Sequence, residues 1–129
     1  MSNKREKLEE GFYYHIYNRG NNRQKIFLEN KNYEFFLRKL ASCFPPAGVE
    51  ILAYCLMPNH FHLLISPHKS VNFGSVMRSF SNSYVRSFNN VSRRTGHLFE
   101  DDYKPKCIES DEYLRHLILY IHLNPVRAG

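Results

Sequence analysis

Two apolar runs that meet at Pro58-Asn59 constrain this chain more than any other feature. Val49 to Met57 is nearly continuous apolar sequence and reads as a strand covered on both sides, and Pro58-Asn59 makes a tight turn into a second strand, His60 to Ser66. Such a hairpin commits the chain to an antiparallel sheet. Because side chains alternate along a strand, Phe61, Leu63 and Ile65 point into the core while His60 and His62 share the other face. Residues two apart lie about 6.5 to 7 Å from one another, within reach of one ion. The same spacing also suits two hydrogen-bonded histidines on a sheet.

The remaining elements follow from period and punctuation. Residues 12–18 are aromatic and β-branched and stop at the turn cluster Asn18-Arg19-Gly20-Asn21-Asn22, which predicts a first strand. From Asn30, the positions of Tyr33, Phe36, Leu37, Leu40 and Phe44 trace an amphipathic helix that Pro45-Pro46 stops. Pro67 to Asn72 reads as a loop. Phe73, Val76, Met77, Phe80, Tyr84, Phe88 and Val91 form a second helical stripe, which makes Tyr84 a core residue, with Arg78, Asn82, Arg86, Asn89 and Arg93 on another face. His97 to Ile108 is expected to be extended, or a hairpin bent at Asp101-Asp102. Ser110 is the expected N-cap of a third helix, with Asp111 and Glu112 in its first turn, an apolar stripe of Leu114, Leu117, Ile118 and Ile121, and Pro125 limiting its end. The order β-α-β-β-α-β-α predicts an α+β fold: a ferredoxin-like sandwich with helices on one face of an antiparallel sheet, plus a C-terminal helix.

With 129 residues, 43% of them hydrophobic, the chain suits one domain over residues 1–129. Three scattered cysteines argue against a disulfide scaffold and for a reducing cytoplasm. A charged N-terminus without an apolar h-region, and the lack of any long apolar stretch, argue against secretion and membrane insertion. The net charge of +6 favours polyanions. Arg19, Arg23, Arg78, Arg86, Arg93 and Lys104 lie among aromatics in a pattern suited to phosphate contacts and base stacking on single strands. His15, His68, His97 and His122 have no paired spacing and read as surface or strand histidines.

On the third helix, Tyr120 and Asn124 are one turn apart, opposite the apolar stripe, and Tyr113 and His116 extend the same row. Two imidazoles, an amide oxygen and a phenol could together hold a divalent cation and attack a phosphodiester, the cation spreading the charge of an in-line displacement. An ordinary amphipathic tyrosine with a helix-ending Asn-Pro fits the spacing as well.

Taken together, Tyr17-Asn18-Arg19-Gly20, Ile26-Phe27, Met57-Pro58-Asn59-His60-Phe61-His62, Gly96-His97-Leu98-Phe99 and the run from Tyr120 to Gly129 resemble the single-tyrosine HUH transposases of bacterial insertion sequences, especially their REP-associated branch. The resemblance spans nearly the whole chain. It implies a ferredoxin-like nuclease and strand transferase acting on single-stranded DNA near imperfect hairpins. By matched motifs, His60, His62 and Asn124 would hold Mg²⁺ or Mn²⁺, and Tyr120 would form a 5′-phosphotyrosine and free a 3′-hydroxyl. It also implies a bacterial, nucleoid-associated protein, either a homodimer or a monomer. Asp101-Asp102 stand where relatives often carry a basic residue, and relatives usually continue past the motif that ends at Gly129, so weak cleavage by this chain is one expectation. Three rival readings stay open on sequence alone: a replication-initiator or relaxase-type HUH nuclease, a non-catalytic nucleic-acid-binding protein, and a small metal hydrolase.

Overall fold

The structure is a computed structural model that describes residues 7–100 and 104–128, with the side chains of residues 104, 105 and 120–128 outside the description. Its elements are β1 (Lys7–Leu8), β2 (Tyr13–Arg19), α1 (Asn30–Cys43), β3 (Val49–Met57), β4 (His60–Pro67), β5 (Val71–Asn72), α2 (Phe73–Ser92), β6 (Lys104–Ile108) and α3 (Asp111–Ala128). The main sheet runs β3-β4-β2-β6, every neighbour antiparallel. That order is the expected ferredoxin-like one. Among the described residues no helix is long and apolar enough to cross a membrane.

Alternation divides the sheet into two faces. Tyr14, Ile16, Phe61, Leu63 and Ile65 pack against Phe36, Leu40 and Phe44, with Phe73, Met77, Phe80, Tyr84 and Phe88 of α2. Cys55, Leu64 and Ile108 lie on the other face beneath Leu117 of α3, with Ala53, Met57, Tyr113, Leu114 and Ile118 around them. So α1 and α2 cover one face and α3 the other. Glu29 caps α1 in a reciprocal box with Asn32, whose Oδ1 accepts from the Leu28 and Glu29 amides at 2.8 and 2.9 Å. After Pro45-Pro46, Gly48 takes the left-handed φ of +91° that turns the chain into β3.

Three expectations are corrected. The Val49–Met57 run is an edge strand and is not covered throughout: Leu52 is 42% and Tyr54 47% exposed. The cause is a register shift between Ile51 and Ala53, where Leu52 is the extra residue; it moves Ala53, Cys55 and Met57 to the α3 face, so the apolar run serves two layers in turn. Val91 continues the α2 stripe but is 47% exposed, because the core that would cover it ends at Phe88. Within the stretch expected to be a loop, Val71–Asn72 pairs with Lys7–Leu8 as a separate two-stranded ribbon. The bend expected at Asp101-Asp102 lies outside the described residues.

Candidate active site

Strand pairing lines up Arg19, His60 and Met57 in one cross-strand row, Tyr17, His62 and Cys55 in the next, and His15, Leu64 and Ala53 in a third. Three histidines therefore meet on the α3 face. The His60 and His62 rings are 5.2 Å apart and nearly perpendicular. His60 Nδ1 donates to Asn59 Oδ1 at 2.8 Å, since a carbonyl oxygen can only accept, and this leaves the ring lone pair on Nε2. His62 Nδ1 lies 2.8 Å from His15 Nε2, and His15 Nδ1 lies 3.2 Å from the Tyr113 hydroxyl.

Burial sets the charge state. It pulls His62 down to about 4, with His15 and His60 adding to the effect, and pulls His15 down to about 4, with Lys106 adding. His60 is lowered by burial and then by Arg19. All three are neutral near pH 7, which is the ligating form of imidazole.

Beside the histidine pair opens a cleft of about 490 Å³, lined by Tyr17, Asn18, Arg19, Arg23, Asn59, His60, Phe61 and His62. Arg19 is held by an ion pair with Glu100 at 3.2 Å. Arg23 belongs to a tight turn in which Asn22 and Arg23 both take left-handed φ, 55° and 60°. Asparagine tolerates that region; an arginine there is strained by about 1 kcal/mol or more. The turn is held by Asn21 N–H on Leu98 O at 2.8 Å, Arg23 N–H on Gly20 O at 3.0 Å and Gln24 N–H on Asn21 O at 3.1 Å. Gly20 is required by close approach, since a Cβ there would sit 2.0 Å from the Gln24 carbonyl oxygen.

Helix α3 starts as expected, with Ser110 Oγ accepting the Tyr113 amide at 3.1 Å. Its first turns and the sheet line a second, open pocket of about 500 Å³ that includes His15, His62, Tyr113 and His116. The helix backbone continues through Tyr120 and Asn124, whose side chains lie outside the described residues. Among the described residues no group of three or more His, Cys, Asp or Glu could hold a metal. The fold thus brings His60, His62, Arg19 and Arg23 together. Arg78 and Arg86 are exposed on α2, the layer across the sheet, and Arg93 is exposed just after it. Lys104 pairs with Tyr17 in register, its side chain outside the description. A larger apolar groove of about 850 Å³ lies between α1 and the β3 edge, away from these groups.

Sequence reasoning passed over His15. Its partner is 47 residues away, and only the β2–β4 register brings the two together. The available signal was the alternation His15, Tyr17, Arg19, which puts His15 on the same face as whatever pairs with it.

The profile of the IS200-like transposases matches residues 9–124. No curated protein matches the chain. Among solved structures, the chain is similar to a REP-associated tyrosine transposase bound to a REP hairpin, with TM-score 0.70 and 19% identity over 100% of this chain and 75% of that one. It is also similar to a candidate transposase from Deinococcus radiodurans, with TM-score 0.61 and 17% identity over 88% and 89% of the two chains. At these identities the structures speak to fold, and the profile, which takes in most of the chain, speaks to family: this protein belongs to the IS200-like transposases.

Proposed function

We propose that the protein, as one domain over residues 1–129, cleaves and rejoins single-stranded DNA beside a hairpin, with Tyr120 as nucleophile and Mg²⁺ or Mn²⁺ held by His60, His62 and Asn124. The observation that carries this reading is the pair of neutral imidazoles, each engaged at Nδ1, at a cleft walled by Arg19 and Arg23. Such a donor set suits a divalent cation: with Nδ1 engaged, each ring would bind through Nε2 and Asn124 would add an amide oxygen. That set accepts Zn²⁺ as readily, so the choice of Mg²⁺ or Mn²⁺ comes from the family resemblance. The REP hairpin on one structural relative supports a hairpin partner.

Tyr120 follows Tyr113 by seven residues, two helical turns on and within about 20° of the same side. Tyr113 itself reaches His15 beside His62, so the row of the sequence pattern that Tyr120 shares with it begins at the histidines. In the reaction its phenol oxygen attacks phosphorus and its proton passes to water. The bond from phosphorus to the 3′ oxygen breaks in line, and that oxygen takes up a proton and departs as a hydroxyl. The 5′ phosphate stays on Tyr120 as an ester, so later attack by a 3′-hydroxyl reverses the step and joins strands. Arg19 and Arg23 offset phosphate charge during approach and displacement. A bound Mg²⁺ or Mn²⁺ would act as a Lewis acid on a phosphate oxygen.

The test is a denaturing-gel search for a protein–DNA adduct, using labelled hairpin-bearing single strands with Mn²⁺ or Mg²⁺. An adduct with wild type and none with Tyr120→Phe, at similar DNA affinity, is expected. An adduct in both would move the nucleophile elsewhere, and strong binding without any adduct would favour a DNA-binding protein that does not cut.

A further inference from the structure

The third histidine has no part in that chemistry, yet it is the most deeply placed of the three. His15 sits mid-strand in β2, is 8% exposed, and is engaged at both ring nitrogens by side chains from β4 and α3. Engaged at both ends, it is a link and not a ligand. Two ring nitrogens 2.8 Å apart must share one proton. If His62 donates it, His15 accepts at Nε2, carries its own proton on Nδ1 and gives that hydrogen bond to the Tyr113 oxygen; the lone pair of His62 is then on Nε2. If the chain ran the other way, Tyr113 would donate to His15, His15 to His62, and His62 would carry its proton on Nε2, where no cation could bind. Packing adds to this control. The His15 and His62 rings lie end to end along their hydrogen bond, centroids 5.1 Å apart and planes 25° from parallel, and the Tyr17 ring lies 4.9 Å from His15 and 6.0 Å from His62, which restricts rotation of His62.

We propose that His15 is the positioning residue of the metal site: it fixes the ring orientation and tautomer of His62, and through Tyr113 it ties the helix that carries Tyr120 to the histidine pair. This rests on the reading of His62 as a metal ligand. Outer partners of this type change metal affinity by about 10- to 100-fold when removed.

The experiment is Mn²⁺ titration of the full-length protein, followed by the electron paramagnetic resonance of free Mn²⁺, with unfolding curves to confirm the fold of each variant. His15→Leu should weaken Mn²⁺ binding about tenfold or more. His15→Gln, whose amide oxygen can accept from His62 Nδ1–H, should restore affinity to within about threefold. Should the leucine variant fail to fold, Tyr113→Phe serves, with an expected loss of about threefold because only the far end of the chain is cut. Wild-type affinity in His15→Leu, or equal losses in the leucine and glutamine variants, would overturn the positioning role. His62→Ala separates the two claims: if it also binds Mn²⁺ like wild type, the ligand assignment itself fails, whereas a loss there beside unchanged affinity in His15→Leu sinks only the role of His15.

Discussion

Replacing Tyr84 by phenylalanine asks whether the aromatic core on one face of the sheet secures the histidine turn on the other. Tyr84 is 1% exposed and is surrounded by Phe27, Phe35, Phe36 and Phe88, with ring centroids 5.1 to 6.2 Å away. Its hydroxyl donates to the Ile26 carbonyl at 2.5 Å, and burial, then Tyr33, pushes the phenol far above its ordinary range, so it stays a donor at every working pH. Ile26 and Phe27 in turn direct their amides to the Pro58 carbonyl, at 2.7 and 3.2 Å, directly before Asn59 and His60. Phenylalanine keeps the ring and removes one hydrogen bond, leaving a buried carbonyl short of a donor. That loss costs about 1–3 kcal/mol in general, and about 1.5–2 is expected here. For a chain of this size the Tm should fall by about 5–8 °C. Tyr84→Ala, which also opens a cavity, should cost about 3–5 kcal/mol. Urea unfolding with unchanged m reads the energy, and amide exchange reads the link, faster at Ile26 and Phe27 but not at Leu63 or Ile65. A phenylalanine variant within about 0.5 kcal/mol of wild type, with exchange at Ile26 and Phe27 unaltered, would refute the reasoning.

Two further outcomes are expected. Because burial holds His15 and His62 at about 4 in the folded chain against 6.5 when unfolded, the unfolded chain binds more protons between those values. Stability should therefore be full above pH 6.5 and decline as pH falls towards 4. One group shifted that far is worth roughly 3 kcal/mol; the two share a hydrogen bond and meet cleft water, so about that total is expected for the pair. Urea midpoints of the metal-free protein at neutral and acid pH measure it, and an undiminished pH slope in His15→Leu would count against it. For DNA, Arg23→Ala should weaken binding of a hairpin-bearing single strand and flatten its salt slope by about 0.7 to 1, while Arg86→Ala, across the sheet, should alter it much less. Filter binding over a salt series decides, and equal effects would show that DNA contacts both layers.

What could be read from the sequence was whatever repeats locally. The α2 stripe placed Tyr84 in the core, and the alternation in β4 separated His60 and His62 from Phe61, Leu63 and Ile65; both hold in the structure. What escaped depends on partners far along the chain. A two-residue strand such as Lys7–Leu8 has no period to detect, and its pairing with Val71–Asn72 is purely tertiary. The register shift at Leu52 inverts the facing of the rest of β3, so a run that looks evenly buried changes layers half way. His15 looked unremarkable because a buried histidine is defined by its hydrogen-bond partners, and these come from β4 and α3.

The same turn that closes the hairpin also aims the site. In β4 each core residue alternates with one that faces α3, so a slip of one position would send Phe61, Leu63 and Ile65 to the wrong layer and push the histidines into the aromatic core. The turn resists such a slip because three main-chain bonds hold it from outside the hairpin: Gly20 to Asn59 O at 2.9 Å, and Ile26 and Phe27 to Pro58 O. Asn59, fixed by that contact, is also the residue whose side chain sets the His60 tautomer. Register, ring orientation and protonation at the histidine pair therefore share one support, the segment from Gly20 to Phe27. Within that segment only Arg23 lines the cleft, yet Gly20, Ile26 and Phe27 govern the site through the register they impose on it.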